Sequence, residues 1–148
     1  MSKDIVILFG TESGNAEFAA EDMAAAIETD AEVTVVDMTD FDVSEFSAEI
    51  FYVLISSTHG EGEVPSGARP FIEALNSHAP DLSGVEFAVF GLGDSTYEHY
   101  SRGSEIIEEK LRSLGATRVG LYGRHDASDG SLPNDAAVEW VKDLFATL

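Results

Sequence analysis

Cysteine is absent from this 148-residue chain, which excludes disulfides, thiolate metal sites and thiol catalysis, so any redox chemistry comes from a bound cofactor. Basic residues are scarce: 8 Lys and Arg stand against 28 Asp and Glu, a formal net charge of −20. No Lys/Arg patch for phosphate contacts can be assembled, so no nucleic acid is expected as partner, and an anionic membrane surface is disfavoured likewise. Long apolar runs are missing as well. The N-terminal run Ile5–Phe9 is too short for a signal-peptide core or a membrane span, predicting a soluble, cytoplasmic protein with no membrane partner. Internal repeats, low-complexity tracts and linkers are also lacking, so residues 1–148 are expected to form a single domain, with 44% hydrophobic residues to build its core.

Short apolar runs rich in β-branched and aromatic residues occur at Ile5–Phe9, Val33–Val36, Ile50–Ile55, Phe87–Phe90 and Arg118–Tyr122, and read as five strands. Segments of helical spacing separate them. Ala19, Met23, Ala26 and Ile27 share one face; Phe71, Ile72 and Leu75, then Ile107, Leu111 and Leu114, then Ala137, Trp140, Val141, Leu144 and Leu148 share others. Pro70 falls early in the second helix, Gly115 closes the third, and Pro133-Asn134-Asp135 opens the fourth. Between Val36 and Ile50, Phe41, Val43 and Phe46 either form a helical turn or pin an acidic loop onto the sheet. Trp140 reads as a core residue, and His78 and His125 as surface residues. Alternating strands and helices predict an α/β fold, a three-layer α-β-α sandwich around a five-stranded parallel sheet of order 2-1-3-4-5.

In that order the loops after strands 1, 3 and 4 are neighbours at the edge where α/β proteins bind ligands. The first, Gly10-Thr11-Glu12-Ser13-Gly14-Asn15-Ala16, places hydroxyls and free N–H groups at the start of a helix, an anion site. No Lys or Arg lies between Asp4 and Gly67, so neutral donors and the helix dipole must hold the anion, and a monophosphate ester fits best. The loop lacks the Gly-Lys-Ser/Thr ending of a triphosphate loop and the three-glycine spacing of a dinucleotide fingerprint. Alone, it also has a lesser reading as merely a polar turn with a helix N-cap. The second, Ser57-Thr58-His59-Gly60-Glu61-Gly62, brackets Glu61 with two glycines that let a flat ligand approach the main chain, and His59 adds a planar ring. The third, Gly91-Leu92-Gly93-Asp94-Ser95-Thr96-Tyr97-Glu98, exposes polar groups and an aromatic face. Phosphate donors at one end and rings with open backbone at the other describe a site for a phosphorylated aromatic heterocycle. Tyr100 either packs under its loop or touches ligand. Asp129, in Asp126-Ala127-Ser128-Asp129-Gly130, either reaches the site or belongs to a charged surface loop.

These three stretches resemble those of the flavodoxin family, specifically short-chain flavodoxins without the extra loop that interrupts strand 5, and equally the FMN domains of diflavin reductases. The likeness spans essentially the whole chain. Thr11-Glu12-Ser13-Gly14-Asn15-Ala16-Glu17 is similar to the family's phosphate loop, Ser57-Thr58-His59-Gly60 to its first isoalloxazine loop, and Gly91-Leu92-Gly93-Asp94-Ser95-Thr96-Tyr97-Glu98 to its second. The resemblance implies FMN as cofactor. It assigns Thr11, Ser13, Gly14, Asn15 and Ala16 to the phosphate, with Thr58 adding a hydroxyl, and Tyr97 to the outer flavin face. The Gly60-Glu61 peptide would turn its carbonyl toward flavin N5, and Asp94 and its neighbours Leu92 and Gly93 would bond the pyrimidine edge through backbone. His59 departs from the pattern, standing where many members carry Trp or Tyr.

The implied role is low-potential one-electron transfer, without a catalytic residue or metal site of its own. The acidic surface would steer the protein, as a monomer, toward basic patches on an NADPH-dependent reductase and an acceptor enzyme. An FMN-dependent NAD(P)H:quinone reductase is the alternative from the enzyme class. A receiver-type signalling domain shares the strand order but needs an acidic cluster after strand 1 and an aspartate after strand 3, where this chain has Thr11-Glu12-Ser13 and Ser57-Thr58-His59.

Overall fold

The computed structural model describes residues 4–10, 15–27, 32–57, 68–93, 102–119, 123–126 and 133–147. Strands β1 (Asp4–Gly10), β2 (Val33–Asp37), β3 (Ile50–Ser57) and β4 (Glu86–Gly93) form where the apolar runs predict them, each a residue or more longer than its run. Between and after them lie helices α1 (Asn15–Ile27), α2 (Arg69–His78), α3 (Arg102–Ser113) and α4 (Pro133–Thr147). All strand pairs are parallel, and the order is β2-β1-β3-β4 followed by the fifth strand position.

That fifth position differs from the expectation of one strand over Arg118–Tyr122. Two segments occupy it: β5 (Thr117–Arg118), opposite Glu86 and Phe87, and β6 (Gly123–Asp126), opposite Phe90 to Gly93. The register steps from Glu86↔Thr117 and Phe87↔Arg118 to Phe90↔Gly123, so the second ladder is offset by two residues from the first; Gly120, Leu121 and Tyr122 of the expected run lie outside the described residues. Gly-Arg-His-Asp has no apolar alternation to announce a strand; pairing with β4 recruits it. Gly123 is needed there, because a Cβ at that position would stand 2.6 Å from Trp140 Nε1 and collide with the Phe90 ring.

Side-chain alternation along the strands splits the core in two. Ile5, Ile7 and Phe9 of β1, Phe51, Val53 and Ile55 of β3, and Ala88 and Phe90 of β4 pack under α1 and α4, which contribute Ala19, Met23, Ile27, Ala137, Val141 and Leu144. Leu8, Tyr52, Leu54, Phe87 and Val89 face the other way, under Phe71 and Leu75 of α2 and Ile107 and Leu111 of α3. Trp140 is partly buried against the first cluster, its ring 5.3 Å from that of Phe90, in keeping with a packing role. Among the described residues, no helix is long and apolar enough to cross a membrane.

Both alternatives for the Val36–Ile50 link are realised. Single 3-10 turns form at Met38–Asp40 and Val43–Glu45, and the acidic segment is pinned by aromatics. Phe46 meets Phe41 and Tyr52 at ring distances of 4.9 and 4.8 Å, and the buried Tyr52 hydroxyl oxygen accepts the Ser47 N–H at 2.9 Å. Asp42 caps the second turn by accepting from the Ser44 N–H and hydroxyl at 2.9 and 2.7 Å. Gly115 ends α3 as expected, at φ +109°, with Ser83 so close that a Cβ would lie 3.1 Å from its N and Oγ. At the far end of the sheet from the C-terminal strand edge, Arg118 of β5 donates from Nη1 to Oε2 of the buried Glu108 on α3 at 2.6 Å, tying the short edge strand to its covering helix.

Candidate functional site

The site is built where three strands stop. Gly10 is level with Ser56 of β3, which is level with Gly91 of β4, so one row of small residues crosses the sheet near its C-terminal edge. Beyond that row β3 continues to Ser57, paired with Leu92, and β4 to Gly93. With about 4.8 Å between neighbouring strands, the three chain exits lie within roughly 10 Å of one another. From them depart residues 11–14, 58–67 and 94–101. The 127–132 connection leaves from the same edge, because Asp126 is level with Gly93.

Into this edge points the start of α1. Asn15 is its first residue and Ala16 is completely buried, so the helix begins pressed against the core. A helix start leaves its first four N–H groups without intrahelical partners and carries roughly half a positive charge. That supplies anion-binding capacity without a Lys or Arg, in agreement with their absence between Asp4 and Gly67.

The wall behind the site was not legible in the sequence. A Cβ on Gly10 would lie 2.8 Å from the Ala68 Cβ and 2.9 Å from the Met38 Sδ, so the glycine lets the start of α2 and the first 3-10 turn close directly over the end of β1. Ala68 and Met38 are 0% and 1% exposed; they set where the 58–67 segment returns to the fold. Neither belongs to a motif, and only long-range packing identifies them.

Of the residues singled out from the sequence, Asn15, Ala16, Ser57, Leu92 and Gly93 fall on described elements, and the fold brings their strand and helix ends to one edge. Thr11, Glu12, Ser13, Gly14, Thr58, His59, Gly60, Glu61, Gly62, Asp94, Tyr97, Tyr100 and Asp129 lie outside the described residues. His78 is exposed at the end of α2, and no group of three His, Asp or Glu forms a metal site among the described residues.

The arrangement defines a class: an α/β sandwich in which the start of a helix meets the C-terminal ends of three adjacent parallel strands. Comparison with known proteins narrows it. The family model described as flavodoxin matches residues 7–140. Protein MioC of Escherichia coli O157:H7 is 34% identical over 138 residues, covering 93% of each chain. The sulfite reductase [NADPH] flavoprotein alpha-component of Bacillus subtilis is 36% identical over 150 residues, 100% of this chain but 24% of that protein. The crystal structure of oxidised Flavodoxin 1 from Bacillus cereus superposes with a TM-score of 0.81 at 28% identity, covering 98% of this chain and 99% of that one. The chain belongs to the flavodoxin family. With that membership go FMN as cofactor and electron transfer as function.

Proposed function

We propose that the chain is a single-domain, monomeric one-electron carrier of the cytoplasm, and not an enzyme with a substrate site of its own. It would take electrons from an NADPH-dependent reductase and pass them to acceptor proteins through transient, salt-sensitive encounters with basic surfaces. FMN supplies the chemistry, a ring that takes up electrons singly. The observation that carries the reading is the convergence of the β1, β3 and β4 ends on the α1 N-terminus, at the places where the family's three loops begin.

Within it, Thr11, Ser13, Gly14, Asn15 and Ala16 hold the phosphate through hydroxyls and amides, and Thr58 adds a further donor. Glu12 flanks the loop and contributes its amide. Ser57 and His59 carry the second loop along one ring face, where the smaller imidazole covers less of the ring than Trp or Tyr. A protonated His59 would favour negative charge on the ring, making the potential pH-dependent. Gly60, Glu61 and Gly62 allow a peptide to turn its carbonyl toward the ring, and Leu92, Gly93 and Asp94 bind the opposite ring edge through backbone. Tyr97 stacks on the outer face; Tyr100 and Asp129 complete the rim. Dense negative charge opposes adding a second negative charge to the ring, which sets the second reduction at low potential.

The test is an FMN titration followed by stepwise anaerobic reduction watched by visible absorption. Tight binding and two separate one-electron steps are expected, with Tyr97→Ala weakening affinity and Gly60→Ala bringing the two steps together. Failure to bind FMN refutes the reading. Prompt bleaching by NADPH without a reductase would instead make the protein an enzyme.

A further inference from the structure

The α-helices on the two faces of the sheet differ in their own charge. α1 and α4 hold six carboxylates against the single ammonium of Lys142, whereas α2 and α3 hold four carboxylates against four cations. The 3-10 segment, with Asp40, Asp42 and Glu45, packs beside α2 and brings negative charge to that face as well, so both faces of the sheet are acidic. On α1, among Glu17, Glu21 and Asp22, stands Phe18, 59% exposed, the large hydrophobic side chain that the described residues leave in water. Its exposure does not follow from a poorly formed helix. Ala16, Ala19, Ala20, Met23 and Ile27 of α1 are all buried, and Phe18 falls on the opposite face with Glu17, Glu21 and Asp22.

Phe18 is the fourth residue of α1, within the turn whose N–H groups face the cofactor edge. A contact there lies about one turn, roughly 5 Å, from the helix start, so a partner seated on it is held beside the bound flavin. An aromatic side chain ringed by like charges is the arrangement of an interface anchor: the charges guide approach, and burial of the ring slows departure.

We propose that the outer face of the first two turns of α1, centred on Phe18, is the docking surface for the redox partner. The complementary surface is an apolar pocket rimmed by Lys and Arg. Glu17, Glu21 and Asp22 around the ring supply the charge complement to that rim, and among the described residues no other large apolar side chain is exposed to offer a rival anchor. The proposal rests on the electron-carrier reading and adds to it the face used and the residue that anchors it.

The experiment compares the FMN-loaded full chain with Phe18→Ser, Glu21→Lys and Glu73→Lys. Glu73, exposed on α2, gives the same change in net charge on the opposite face of the sheet, away from Phe18. The probe is ferric cytochrome c, a basic protein with an exposed apolar haem edge. Each photoreduced flavoprotein passes one electron to the haem iron, Fe(III) becoming Fe(II), and the second-order rate constant is measured at low and high salt. FMN affinity of every variant is measured by fluorescence. Phe18→Ser is expected to slow transfer about 3- to 10-fold at both salt concentrations. Glu21→Lys should slow it by a similar factor at low salt only, and Glu73→Lys by less than about 2-fold. All three should bind FMN like the parent. Equal effects of Glu21→Lys and Glu73→Lys, or a parent-like Phe18→Ser, would overturn the docking site while leaving the carrier reading intact. A parent that does not bind FMN would overturn both.

Discussion

Replacing Gly10 by Ala probes the joint between the core and the site. The new Cβ would sit 2.8 Å from the Ala68 Cβ and 2.9 Å from the Met38 Sδ, against an ordinary carbon contact of about 3.5–4.0 Å. The Met38 thioether can rotate away, but Ala68 is held, because it caps α2 and its carbonyl accepts the Ile72 N–H at 3.1 Å. Overpacking of this kind costs about 1–3 kcal/mol, offset by roughly 0.4–1 kcal/mol from the stiffer unfolded chain. The net expectation is a loss of about 1–2 kcal/mol, or a fall in Tm of roughly 3–8 °C for a chain this long. Urea unfolding followed by circular dichroism measures it, and Ala68→Gly supplies the second arm of a double-mutant cycle. Removing the Ala68 methyl should return a good part of the stability lost in Gly10→Ala, giving a coupling above about 0.5 kcal/mol. FMN affinity should fall and recover in parallel, since the same contact positions the return of the second loop. A parent-like Gly10→Ala, or two substitutions whose costs simply add, would refute the steric reasoning.

Other consequences are as direct. Ala79 ends α2 at φ 40° with its N–H bonded to the Leu75 carbonyl at 2.9 Å, so Ala79→Gly should relieve left-handed strain and raise stability by roughly 0.5–1 kcal/mol in the same urea assay. Arg118→Ala strands the buried Glu108 carboxylate and should cost about 1–3 kcal/mol, with Glu108→Gln in the Arg118→Ala background recovering part of it. Burial, and secondarily the Glu45 charge, raises the Tyr52 phenol above its ordinary value of 10.0. Its contribution is therefore whole below that value and lost as pH rises through the folded one, so alkaline unfolding should come later in Tyr52→Phe. The Ser44 hydroxyl and amide hold Asp42 below 3.8, as those of Ser83 do Asp81; stability from both persists above 3.8 and drains as pH falls through the lower folded values, and Asp→Asn at either position should flatten that acid limb. With a formal net charge of −20, thermal stability should climb as salt is raised from about 0.01 to 1 M, where the screening length shrinks from roughly 30 to 3 Å; a flat profile would show that self-repulsion is not a significant cost.

Local pattern alone was enough for the strands and helices that have a periodic apolar face. Val53 and Ile55 alternate with Tyr52 and Leu54, and the structure sends them to opposite cores; Ile107 and Leu111 mark the buried side of α3. Gly115 and Pro133 were legible because their backbone requirements are intrinsic to the residue. The fifth strand position was not, since Gly-Arg-His-Asp acquires strand structure only by pairing with Phe90–Gly93. Nor could pattern show that the link after Val36 both turns and is pinned, an outcome that depends on the meeting of Phe41, Phe46 and Tyr52 from different segments.

For the site, local pattern suffices for the chemistry on offer: hydroxyls, amides, glycines and rings in loops that follow strands, and no Lys or Arg between Asp4 and Gly67 to hold a phosphate. Those properties belong to single residues and their immediate neighbours. Tertiary structure decided that Gly10, Ser56 and Gly91 share one row, that α1 starts at that row, that Ala68 and Met38 close its back, and that Phe18 remains in water among the carboxylates of α1. Each of these depends on strand order, register or packing between segments far apart in the chain, which no local spacing encodes.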